Sequence, residues 1–135
     1  MDLIADTSFL VGLWRKQSWA IDFAQANRQR VLGIPWIVLG EFWHGAIRAG
    51  HSGEVVRKFL LSGMPIYDVG PIIPIYAAIC CDAQKKNFYV EIGQNDLWIA
   101  STALSLRLPL VTRNHRHFDK IEGLRLEVLA DDSHR

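Results

Sequence analysis

The stretch Leu3-Ile4-Ala5-Asp6-Thr7-Ser8-Phe9-Leu10-Val11-Gly12-Leu13-Trp14 decides the fold. Three apolar residues stop at an acid, two hydroxyl residues follow, and a mostly apolar run then reaches Trp14. This pattern predicts a short buried strand followed by a helix capped where the strand ends. The alternation continues outward. Residues 18–29 predict a helix with Trp19, Phe23 and Ala26 on one face, and Val31 to Ile34 a second strand closed by Pro35. Ile37, Phe42, Ala46 and Ile47 suit an amphipathic helix over Trp36 to Ala49, with Gly50 as its stop. Ser52 can cap a further helix carrying Val55, Val56, Phe59 and Leu60. Pro65 to Tyr67 predicts a third strand, and Pro71 to Asn87 a long helix with Ile72, Ile75, Tyr76 and Ile79 on its apolar side. Asn95 is placed to cap a helix from Asp96 to Leu106, and Leu110 to Thr112 and Leu124 to Val128 read as strands four and five. Strands alternating with helices predict an α/β fold: a three-layer α/β/α arrangement around a short, mostly parallel sheet. The strands are nearly all apolar because such a sheet is covered on both faces.

Composition narrows the possibilities further. The 135 residues are 50% hydrophobic and 21% charged, enough to bury a core as one domain over residues 1–135. No linker, repeat or low-complexity tract interrupts them. The net charge of +1 gives no bulk pull towards nucleic acid, so any basic surface must be local. Cys80 and Cys81 are neighbours, with neither a disulfide framework nor zinc spacing, and read as small apolar packing residues. No basic segment precedes an apolar stretch, and no apolar run approaches the about 20 residues that span a bilayer. The expected location is the cytoplasm, with no membrane partner.

Ligands of open α/β sheets bind beyond the carboxyl ends of the strands. Three acids fall there: Asp6 ends the first strand, Glu41 lies one turn into the helix after the second, and Asp96 starts a helix just after Gly93. Each also has a plain structural role open to it. Asp6 can cap the helix that follows, Glu41 can face solvent, and Asp96 can stabilise a helix N-terminus. Carboxylates converging from separate segments repel one another unless a cation neutralises them, and hard oxygen donors select Mg²⁺ or Mn²⁺. The densest basic cluster, Arg113, His115, Arg116 and His117, is close to the same end of the sheet, and Arg113 and Arg116 are candidates for phosphate contacts.

The segments Asp6-Thr7-Ser8-Phe9-Leu10, Glu41-Phe42-Trp43-His44-Gly45, Asn95-Asp96-Leu97-Trp98-Ile99-Ala100 and Leu110-Val111-Thr112-Arg113-Asn114, with His117-Phe118 beyond, resemble the signature blocks of PIN domains. They resemble in particular the VapC-type toxins of type II toxin–antitoxin pairs. The resemblance runs in order along nearly the whole chain. It implies a single PIN domain acting as a Mg²⁺- or Mn²⁺-dependent endoribonuclease that hydrolyses RNA phosphodiester bonds. It implies that Asp6, Glu41 and Asp96 are the metal ligands and catalytic carboxylates. It also implies a homodimer inhibited by a cognate antitoxin protein. Many members carry a fourth acid after the Val-Thr strand. Asn114 takes that place here, as a fourth catalytic position able to offer only a neutral oxygen, and Asp119 falls just beyond Phe118. Five tryptophans are many for this length; Trp36 or Trp43 can line a groove for an antitoxin helix.

Two other readings compete. A non-toxin PIN-fold protein that processes or binds RNA with weak or no cleavage fits the Asn114 departure. A phospho-acceptor receiver-like domain would use Asp68 after the third strand, with Thr112 as a switch residue, but wants a second acid beside Asp6, where Thr7 stands.

Overall fold

The computed structural model describes residues 1–129. The elements are β1 (Leu3–Ala5), α1 (Thr7–Trp14), α2 (Ser18–Ala26), β2 (Leu32–Pro35), α3 (Trp36–Arg48), α4 (Gly53–Leu60) and β3 (Met64–Ile66). A 3-10 turn over Gly70–Ile72 leads into α5 (Ile73–Lys85), followed by α6 (Tyr89–Ile92), α7 (Gln94–Leu106), β4 (Leu110–Thr112), α8 (His115–Phe118) and β5 (Leu126–Val128).

The strands form one sheet in the order β3-β2-β1-β4-β5, and every pairing is parallel, so the sheet is wholly rather than mostly parallel. Parallel neighbours need crossovers, and crossovers are right-handed. The chain moves from β1 through β2 to β3 in one direction, then returns past β1 to β4 and β5. The handedness rule therefore puts α1 to α4 on one face and α5 to α8 on the other. The contacts largely follow this division, α1 packing on α2 and α3 and α7 on α5, α6 and α8, while α3 and α7 also meet. The direction of winding reverses between β1 and β4. This is the switch point at which the carboxyl ends of two strands diverge and leave a crevice.

Burial explains why the elements form where they do. All three residues of β1 and of β4 are buried, as expected of central strands covered on both faces. Val38, Phe42 and Ala46 bury the inner stripe of α3 at four-residue spacing. Helix α7 is buried on several sides, including Leu97, Ile99, Ala100 and Ala103. Its buried Ser101 and Thr102 hydroxyls donate to the carbonyls of Leu97 and Trp98, leaving no polar cost. At Gly12 a side chain would not fit, since a Cβ there would stand 2.3 Å from the Trp19 ring.

Several boundaries differ from the sequence reading. Helix α2 ends at Ala26, where the backbone N–H of Asn27 closes the last turn, not at residue 29. The third strand is shifted one residue earlier, and the helix expected from Pro71 opens as a 3-10 turn and ends at Lys85. Neither α6 nor α8 was expected. Asn95 does not cap α7. The cap position belongs to Gly93, whose φ of +86° is open to glycine, and Asn95 lies inside the helix with its amide free to reach elsewhere. The receiver-like reading fails on topology: β3 is an edge strand with β2 between it and β1, so exposed Asp68 is far from the switch point. A receiver sheet has its third strand beside its first.

Candidate active site

Asp6 follows β1 and caps α1, and its side chain is pinned from three sides. Oδ1 accepts from the Thr7 backbone N–H at 2.7 Å, and Oδ2 accepts from the hydroxyls of Ser8 at 3.0 Å and Thr112 at 2.6 Å. The register that aligns Ala5 with Val111 brings Thr112 alongside Asp6, so the two central strands end in one hydrogen-bonded unit. Thr112 Oγ1 also accepts from the Asn114 backbone N–H at 2.8 Å, and Ser8 Oγ from that of Arg113 at 3.3 Å. The alternative given to Asp6, helix capping, is thus real and compatible with a place in the site.

Glu41 reaches the same crevice from α3. Its Oε1 accepts from Thr7 Oγ1 at 2.6 Å and its Oε2 from the Asn95 amide at 3.1 Å. Asp96, in the first turn of α7, sets Oδ2 2.7 Å from His117 Nδ1. Asp6, Glu41 and Asp96 therefore converge from three segments far apart in sequence. Burial, with a neighbouring carboxylate charge, alters the proton affinity of two of them. Burial, and secondarily the charge of Asp96, pushes the Asp6 carboxyl above the ordinary carboxylate range against the pull of its hydrogen bonds. Burial also raises Asp96, with the Glu41 charge adding to the rise and His117 opposing it.

Three oxygen-donor acids, of which Asp96 is opposed by the Glu41 charge and Asp6 by that of Asp96, suit a hard divalent cation that would offset the charge. As placed, the carboxylates are held by the chain's own hydroxyls and amides. Among the described residues no three His, Cys, Asp or Glu side chains stand close enough to enclose an ion without side-chain rotation. The donor set fits a metal; the rotamers fit a network of protein hydrogen bonds.

These proton affinities give a testable sign. An unfolded Asp6 releases its proton at the ordinary carboxylate pKa, while the folded one retains it to higher pH. Between those two values the folded state binds more protons, so rising pH favours unfolding. In EDTA, the melting temperature of wild type relative to Asp6→Asn is expected to fall as pH rises through that window. A difference that is flat or rises with pH, measured by calorimetry, would contradict this electrostatic account.

The remaining sequence candidates divide. Asn114 stands at the mouth of the site, with Nδ2 2.9 Å from His117 Nδ1. Phe118 is fully buried and Asp119 is exposed at the end of α8, pointing away from a ligand role. The Arg113 guanidinium lies over the Trp19 ring, 4.3 Å from its centroid, and Arg116 is exposed on α8. Sequence reasoning missed Thr7, Asn95, Thr112 and His117 as residues that hold the carboxylates. Thr7 and Thr112 are adjacent to strand ends and were within reach of inference. His117 was grouped with the basic cluster, and only the turn of α8 brings it to Asp96.

The PIN domain family model matches residues 3–124, and the chain belongs to the PIN-domain family. Among individual relatives, it is 30% identical to Ribonuclease VapC1 of Rickettsia felis, with 98% of each chain covered. A DNA-bound VapBC structure from Salmonella typhimurium superposes with a TM-score of 0.83 at 25% identity, covering 95% of this chain and 98% of that one. A toxin–antitoxin complex from Klebsiella pneumoniae gives 0.71 at 25% identity, covering 91% and 95%.

Proposed function

We propose that this protein is a divalent-metal-dependent endoribonuclease and the toxin of a type II toxin–antitoxin pair. The observation that carries the reading is the convergence of Asp6, Glu41 and Asp96 at the switch point, each held by hydrogen bonds from neighbouring groups. Similarity to a protein named a ribonuclease, and to solved toxin–antitoxin complexes, supports RNA as substrate and an antitoxin as partner.

Asp6, Asp96 and Glu41 would hold Mg²⁺ or Mn²⁺. When bound, such an ion lowers the pKa of water and offsets phosphate charge. The chain's own residues do the rest. Ser8, Thr112 and the Thr7 N–H fix Asp6 so that its carboxylate cannot swing out to solvent. Thr7 and Asn95 aim both oxygens of Glu41. Arg113 and Arg116 would be the cations for the RNA backbone, contacts that set register rather than sequence. No side chain is needed as a nucleophile.

The groove of about 530 Å³ lined by Trp36, Leu39, Trp43, Arg57, Leu60 and Tyr67 supports the expected antitoxin contact. The family also supports a homodimer. Among the described residues no helix is long and apolar enough to cross a membrane. A cytoplasmic location accords with the proposed RNA substrate.

Expression of the wild-type chain alone is expected to arrest bacterial growth, with new RNA ends appearing before arrest. Asp6→Ala at matched protein level should permit growth. Equal growth with both would favour a PIN protein that is not a toxin.

A further inference from the structure

Glu41 faces two spaces. One is the crevice it shares with Asp6 and Asp96, where Thr7 and Asn95 hold its oxygens. The other is a groove of about 340 Å³ between α1 and α3, whose lining includes Trp14, Arg15, Glu41, Gly45, Ala49 and His51. The groove therefore opens from the site, and a strand of RNA crossing Glu41 runs into it.

Glu41, Gly45 and Ala49 recur at four-residue spacing and so share one face of the α3 helix. Beyond the carboxylate that face carries almost no side chain. A Cβ at Gly45 would meet nothing within 4 Å, which leaves the backbone open to a ligand. One wall is the Trp14 indole, set at near right angles to Phe42, Phe59 and His51 with ring centroids 4.9 to 5.4 Å away. Three such neighbours fix this ring before any ligand arrives. Arg15, exposed at the end of α1, supplies positive charge. Among the described residues it has no ion-pair partner.

A fixed aromatic wall, a guanidinium and an open backbone floor are the combination that binds single-stranded nucleic acid, where rings meet bases and cations follow phosphates. The groove lined by Trp36 and Trp43 differs. Leucines and indoles dominate it, and its guanidinium, Arg57, lies over the Trp43 ring, 5.7 Å from the centroid. That surface suits an apolar protein segment, whereas the groove between α1 and α3 suits a polyanion.

We propose that the α1–α3 groove is a nucleotide subsite, taking the RNA residue next to the cleaved phosphodiester. Arg15 contacts its phosphate, and Trp14 with His51 flanks its base. This rests on the ribonuclease reading above and adds a binding site on one side of the scissile bond. Contacts of this kind are made equally in ground and transition states, so they set KM and leave kcat unchanged.

Steady-state cleavage of a defined single-stranded RNA by the full chain tests this. Gly45→Leu fills the floor without an internal clash and is expected to raise KM about tenfold, with kcat within about twofold of wild type. Arg15→Ala should raise KM about fivefold and reduce its salt dependence by about one ion. Lys85→Ala removes an exposed cation from α5, on the other face of the sheet, and should change neither constant. Wild-type KM in folded Gly45→Leu and Arg15→Ala, checked by circular dichroism, would overturn the subsite, leave the nuclease standing and give the groove to a protein partner. A fall in kcat at unchanged KM in both variants would overturn it equally, because the groove would then tune the crevice without holding RNA. If wild type cleaves no RNA, the subsite falls together with the reading beneath it.

Discussion

Asp6→Asn is expected to lower RNA cleavage by more than about 100-fold while the protein keeps its fold. Asparagine preserves the shape of the side chain, and its carbonyl oxygen can still accept from the Thr7 N–H that caps α1. The Ser8 and Thr112 hydroxyls can rotate to accept from the new amide, because each can donate or accept. What disappears is one negative charge at the centre of the proposed metal set. Loss of a group that merely orients a ligand costs 10–100-fold, so loss of the ligand's own charge should reach or exceed the upper end. Steady-state cleavage of a defined RNA, with circular dichroism as the fold control, measures the effect. Turnover within a fewfold of wild type would mean that Asp6 is only a helix cap.

Asp6 also marks how far the sequence could be read. The strand before it and the helix after it follow from local pattern: three apolar residues, an acid, two hydroxyls and an apolar run. The same is true of β4 and the body of α3, where four-residue spacing exposes the buried stripe. Strand order could not be read, because each short apolar strand is compatible with several neighbours until the crossovers are assembled. The four-residue helices α6 and α8 were invisible for a different reason. A single turn gains too little from its own hydrogen bonds to leave a sequence signal, and each is fixed by its packing on the rest of the domain, with Ile92 and Phe118 buried.

The candidate site was legible at the level of charge and obscure at the level of hydrogen bonding. Three acids near strand ends could be singled out because burying like charges together is costly and so suggests a purpose. The groups that hold them could not. Asn95 looked like a cap because amides are common at helix starts, yet the glycine two residues earlier takes that place and leaves the amide for Glu41. His117 was hidden in a run of basic residues whose separate directions depend on one turn of α8.

The largest expected effect is that of metal removal. Three acids at one crevice, two of them with raised proton affinity, leave RNA facing negative charge unless a cation is bound. Without it the protein would have to bring a polyanion to its own carboxylates, whose charge opposes its approach. Arg113 and Arg116 alone would bind phosphate backbone but leave the cleavage step unaided. The decisive measurement is RNA cleavage by protein stripped with EDTA, dialysed into metal-free buffer and titrated with Mg²⁺ or Mn²⁺. The account predicts no detectable cleavage by the stripped protein, at least about 1000-fold below the loaded one, and full recovery on adding either ion. Undiminished cleavage by rigorously metal-free protein would contradict it.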